Sequence, residues 1–162
     1  MYKIFRSALC VIIMSMTCIF GQAKDNGNIQ YDIEIAEIGS QSELVVKVWC
    51  YSKKSHIPEN LFKECAIKGI LFKGVEDSGR KKGREPLVLD GYDNHKDYFD
   101  NFFQNNCHND YVRMAMNGYV DQNGIEKVGK LYRIGKIVVV SYKELRTRLE
   151  SDGIIKSLNS GF

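Results

Sequence analysis

Residues 29–38, IQYDIEIAEI, switch between apolar and polar at almost every step, and a second stretch, ELVVKVWCYS at 43–52, follows after only Gly39-Ser40-Gln41-Ser42. Period-two alternation puts successive side chains on opposite faces of a strand, so Tyr31, Ile33 and Ile35 share one face and Gln30, Asp32 and Glu34 the other. So short a turn pairs the two strands with each other. On the second, Leu44, Val46, Val48 and Cys50 share a face, and Val45, Lys47, Trp49 and Tyr51 share the opposite one. If the first set faces the core, Trp49 and Tyr51 lie on the outer face, either as a binding patch or beneath another element. An early antiparallel pair with one apolar face demands helices to cover it.

The chain supplies three. Pro58 suits a first helical turn, and Leu61, Phe62, Cys65, Ala66, Gly69 and Ile70 then recur at helical spacing up to Gly74. Ala66 and Gly69 are small enough to let this helix lie close on the sheet, and Cys65 falls on its packed face. In DNHKDYFDNFFQNNCHNDY, residues 93–111, Asn94 is placed as an amino-terminal cap, and Tyr98, Phe99, Phe102 and Phe103 form one apolar stripe. The third helix starts with a capping box, Ser141 to Glu144, carries Leu145 and Leu149 on one side, and closes at Gly153. Ile154 and Ile155 then pack back on the body. Between the last two helices, a strand from about residue 110 carries Val112, Met114 and Met116 on one face. Asn123-Gly124 signals a hairpin, and a return strand runs from about Lys127 to Val140 with Gly129 and Gly135 as bulges or bends. The predicted fold is α+β: an antiparallel sheet of about four strands with three helices, order β-β-α-α-β-β-α, helices mainly on one face.

The opening MYKIFRSALCVIIMSMTCIFGQA has the parts of a secretory signal: Lys3 and Arg6, an apolar run from Ala8 to Phe20, and small residues at Gly21 and Ala23. The run is shorter than the roughly 20 residues a membrane-spanning helix needs. The expected organisation is a signal peptide over 1–23, one α+β domain over 24–155 and a tail over 156–162. Lipidation at Cys18 is the alternative, although Ser15-Met16-Thr17 is a poor lipobox. Losing Lys3 and Arg6 with the signal leaves 21 basic residues against 20 acidic ones, which removes the electrostatic footprint of a nucleic-acid protein.

Cys50, Cys65 and Cys107 remain, an odd number without a C-x-x-C pair, so neither a zinc ribbon nor a disulfide scaffold is indicated. Three unpaired thiols are one reading, and a Cys50–Cys65 disulfide, permitted by export, is the other. His95 and His108 lie 13 residues apart, roughly 20 Å along a continuous helix, too far to share an ion. No metal or cofactor is implied. A nucleophilic enzyme would need Cys107, with His108 or His95 as base and Asp97 or Asp110 as orienting group. The polar stretch GVEDSGRKKGREP, 74–86, tempts a phosphate-loop reading, but Arg84-Glu85-Pro86 stands where Lys-Ser/Thr and a helix belong. It reads as a solvated, protease-sensitive loop, whose Arg80, Lys81, Lys82 and Arg84 could grip an anionic surface.

CAIKGILFKG (65–74) with HKDYFDNFF (95–103), and the close VVVSYKELRTRLESDGIIKSLNSGF (138–162), resemble a family of small exported proteins of Bacteroides-type bacteria. The strand-helix-strand layout and the Leu-Arg-x-x-Leu-Glu-x-x-Gly-Ile ending also resemble envelope-assembly domains such as the TolB amino-terminal domain. The first resemblance implies export and no activity; the second implies binding of proteins. Neither supplies a functional residue. The expected function is a non-enzymatic accessory or binding protein of the bacterial cell envelope, with an envelope protein as partner. Its candidate contact residues are Trp49 and Tyr51, and Arg80, Lys81, Lys82 and Arg84. A cysteine-dependent envelope enzyme or a self-associating structural subunit are the alternatives.

Overall fold

The structure, a computed structural model, describes residues 29–37, 40, 42–79, 81–115 and 124–157. The expected signal segment, Arg80, Met116, the 158–162 end of the tail and the Asn123 side of the Asn-Gly turn fall outside them. Among the described residues, five strands form one antiparallel sheet in the order β1-β2-β5-β3, with β4 also paired to β5. The strands are β1 Tyr31–Glu37, β2 Leu44–Ser52, β3 Val112–Met114, β4 Ile125–Val128 and β5 Leu131–Val140. The helices are α1 Glu59–Lys68, α2 Lys96–Gln104 and α3 Tyr142–Ser151. A π-helical turn, Gly69–Lys73, continues α1, and 3-10 turns at Asp93–His95 and Cys107–Tyr111 flank α2. The α+β class and antiparallel sheet match the expectation.

The core face is the one the alternation chose. Ile33, Ile35, Leu44, Val46, Val48 and Cys50 join Ile134, Val138 and Val140 of β5 in one cluster. Phe62, Ile67, Phe99, Leu145 and Leu149 close over it from all three helices, each at most 1 % exposed. Ala66 and Gly69 do permit close approach: a Cβ at Gly69 would stand 2.9 Å from Ile33 Cγ2.

The strand read as continuous from Lys127 to Val140 is instead a hairpin. Val128 pairs with Leu131 across Gly129-Lys130, and Gly129 has φ +61°. Glycine at positive φ in the first position of a two-residue loop suits the right-handed twist of the flanking strands. Gly135 is no bend either; it sits in regular register opposite Trp49. Glycine signals a break and a close approach with the same letter, and only the cross-strand partner separates them.

Two helix ends also differ. Asn94 does not cap α2; its side-chain amide donates to the Asp90 carbonyl at 2.6 Å, and His95 holds the cap position. Ser141 does hold the cap position of α3, without a side-chain capping bond. The far end of α3 is as expected and well closed. Ile154 N donates to Leu149 O at 2.9 Å and Gly153 N to Glu150 O at 3.2 Å, with Gly153 at φ +72°. That six-to-one and five-to-two pair is a Schellman motif, with Leu149 in the core cluster and Ile154 packed against it.

The stretch expected to be a solvated loop folds as a small hairpin. Val75 and Arg84 exchange backbone bonds at 2.7 and 2.9 Å, Ser78 and Lys81 exchange two at 3.0 Å, and Asp77 Oδ1 accepts from Gly83 N at 2.6 Å. The hairpin docks on β1: Ile35 N donates to Glu76 O at 3.1 Å and Glu76 N to Ile33 O at 3.0 Å. A register shift in β1 between Ile35 and Glu37 turns aside the Ala36 carbonyl, which accepts from Lys81 Nζ. Backbone pairing, invisible in composition, decides this segment.

Candidate functional site

Trp49 and Tyr51 lie on the sheet face away from the helices, yet neither is a free aromatic patch. Trp49 is buried, covered by side chains of its own sheet. Lys47 Nζ stands 3.9 Å from its ring centroid and the Arg133 guanidinium carbon 3.8 Å, while Nε1 donates to Glu34 Oε1 at 2.8 Å. Such cation–π contacts contribute about 0.5–1 kcal/mol each where partly solvated. Tyr51 is half-buried and donates to Asp32 Oδ2 at 2.9 Å, with its pKa raised by burial and by that carboxylate. Arg133 continues the charged layer to Glu126 at 3.3 Å. The outer face is a self-satisfied polar ladder around one indole.

The basic candidates separate. Lys81 is held on the Ala36 carbonyl, Lys82 is exposed, and Arg80 lies outside the described residues. Arg84 lines a concavity, its guanidinium 4.7 Å from the Tyr142 ring centroid.

That concavity is a groove of about 730 Å³ between the segment 84–90 and α3 with its closing turn. Leu87, Leu89, Ile154 and Ile155 give it apolar walls, while Arg84, Arg146 and Lys156 supply positive charge against Glu85 and Asp90. Leu89 is 79 % exposed, far beyond its neighbour Leu87 at 7 %. Leu87 N and Val88 N both donate to the π-helical turn, to Ile70 O and Leu71 O at 3.0 and 2.9 Å, so the chain carrying Leu89 is anchored on the core. Arg146 is itself braced by Glu150, Nε to Oε1 2.8 Å. Sequence reasoning missed Leu89, Tyr142 and Arg146. Leu89 looks like any strand residue of PLVLDG, and the other two like the polar side of an amphipathic helix.

The residues of the enzymatic alternative are divided. A second pocket, about 510 Å³, brings half-buried Cys107 together with Asp97, Asp110 and Arg148, but neither histidine lines it. His95 Nε2 lies 2.9 Å from Asp90 Oδ2, before α2. His108 is 3 % exposed, tilted against Phe103 at 5.4 Å between ring centroids, and its Nδ1 has no hydrogen-bond partner among the described residues. Its pKa is lowered, first by burial, with Glu64 opposing and Lys68 and Lys63 adding to the shift. A third concavity, about 1000 Å³, carries Lys68, Lys73 and Lys96 beside Tyr31, Phe72 and Tyr92. Its lysines already have partners: Glu64 at 2.6 Å, the Tyr31 carbonyl at 2.7 Å, and Asp100.

Among the described residues, no group of three or more His, Cys, Asp or Glu side chains is arranged to hold a metal ion, and no helix is long and apolar enough to cross a membrane. Comparison with protein-family models, curated proteins and solved structures returned no match.

Proposed function

We propose that this chain is an exported, non-catalytic binding protein of the bacterial cell envelope. The occupant of its Arg84–Tyr142 groove would be a segment of a partner protein that presents an apolar side chain beside acidic ones. The observation that carries the reading is Leu89, a large aliphatic side chain held open to solvent by an anchored backbone at a groove with three cationic side chains. An exposed apolar residue is unremarkable alone; beside a concave apolar wall with a charged rim it fits a protein contact. With Arg146 braced by Glu150 and Asp90 beside His95, Arg84 and Lys156 face Glu85 in the groove, a balance that favours an acidic partner segment. Neither His95 nor His108 lines the pocket that holds Cys107, which supports placing the function in binding.

A photo-crosslinking amino acid at Leu89 in intact cells tests the proposal. One dominant adduct with a different envelope protein, lost on Arg84→Glu, is the expected result. Adducts only with a second copy of the chain would favour the self-associating alternative. Equal labelling of many proteins, unchanged by Arg84→Glu, would remove the groove reading.

A further inference from the structure

Cys50 leaves the core face of β2 and Cys65 the packed face of α1, and both end in the same cluster, 0 % and 3 % exposed. Both are free thiols in this structure, and Cys65 stands first among the groups that raise the Cys50 pKa, through a side-chain interaction that puts the two thiols within reach of each other. Tyr31 pairs with Cys50 in the sheet register and lies close enough to feel both thiols. Cys107 is elsewhere, lining the pocket beside α2. Of the three described cysteines, one pair meets and the third stands apart.

We propose that Cys50 and Cys65 form a structural disulfide that ties α1 to β2, leaving Cys107 as the free thiol. The electrons go to a disulfide-bearing oxidant, either oxidised glutathione or a dithiol–disulfide oxidoreductase. One protein thiolate attacks a sulfur of the oxidant and expels a thiolate. The second protein thiolate then attacks the mixed disulfide and expels the other, so two thiol protons and two electrons leave the chain and two oxidant thiols form. The neighbouring Cys65 thiol and then burial raise the Cys50 pKa, so its thiolate is scarce once the core closes. The exchange therefore belongs to folding, before α1 seals onto the sheet. The closed loop spans 51–64 and carries the exposed stretch Lys53-Lys54-Ser55-His56. This inference is independent of the groove and of what binds there.

The test refolds the full chain from the reduced, denatured state in a glutathione redox buffer, then alkylates under denaturing conditions without reductant and maps the digest. The expected product is a Cys50–Cys65 linked peptide, a mass lower by two hydrogens, and an alkylated Cys107. Reduction should then lower the melting midpoint by about 10 °C, and Cys107→Ala should leave both the bridge and that shift intact. Full alkylation of Cys50 and Cys65, or a bridge to Cys107 in their place, would overturn the proposal. A Cys50→Ala/Cys65→Ala variant that melts with the reduced protein locates the shift in the bond. One that still shifts on reduction would refute it.

Discussion

Replacing Gly135 with alanine places a methyl group where the structure has no room for one. The added Cβ would stand 2.6 and 2.7 Å from two ring carbons of Trp49, and 3.0 Å from Lys47 Cε. Backbone strain plays no part, because Gly135 is not among the positive-φ residues. An ordinary strand glycine would gain about 0.5–1 kcal/mol on becoming alanine. Here the indole has to swing away, and with it go the stacking of Lys47 and Arg133, about 0.5–1 kcal/mol each. Its bond to the Glu34 carboxylate, about 1 kcal/mol or more for a partly solvated charged acceptor, goes too. The losses exceed the gain, and Gly135→Ala should destabilise by about 2 kcal/mol, within the usual range for overpacking. For a domain of this size that lowers the melting midpoint by about 6–10 °C. Far-ultraviolet circular dichroism reads the midpoint. Emission reads the cause, since Trp49 is the only tryptophan in the sequence and should shift to the red on displacement. In a Trp49→Leu background the methyl gains space, and the same substitution should become neutral or mildly stabilising. A Gly135→Ala protein as stable as the parent, with unchanged emission, would refute the argument.

Leu149→Ala removes a fully buried side chain at the joint of α3, its Schellman turn and the core; chemical denaturation should show a loss of about 2–5 kcal/mol with the midpoint, not the slope, changed. Gly74 has φ +82° and ψ 177°, and a Cβ there would meet the Arg84 carbonyl at 2.7 Å; Gly74→Ala should cost about 1–3 kcal/mol and speed proteolysis within 75–84. His108 has its folded pKa below the unfolded value, so the unfolded chain takes up the proton first. Its contribution should be intact above about pH 6.5 and decline as pH falls below that. His108→Leu should flatten this part of a stability–pH curve measured by urea titration, and an unchanged slope would show that other groups set it. Asp100 and Asp152, both with lowered pKa values from Lys96 and Tyr98 respectively, act in the separate carboxylate range at lower pH.

Periodicity carried the fold a long way. It assigned both faces of β2 correctly, because a side-chain repeat of two leaves little choice once Val46, Val48 and Cys50 must be buried. It also found the α2 stripe, since Phe99 and Phe102 cannot face water together. It failed where tertiary pairing decides. Nothing local distinguishes Gly129, which makes a turn, from Gly135, which admits an indole. The composition of 74–86 announces a loop, yet the segment borrows its order from the backbone of β1. The groove was legible only at Arg84. Leu89 and Tyr142 become a site through the approach of two segments more than fifty residues apart, a distance that no sequence window spans.

The hairpin at 75–84 has a consequence for how this chain behaves in a crowded compartment. A strand at the rim of a sheet offers unspent amides and carbonyls to any extended chain that drifts past, which is how sheets fuse into aggregates. Glu76 takes up the Ile35 amide and the Ile33 carbonyl of that rim, and the lysines at 81 and 82 behind it make poor footing for a stranger. The most highly charged stretch of the chain thus serves as a guard rail for its first strand.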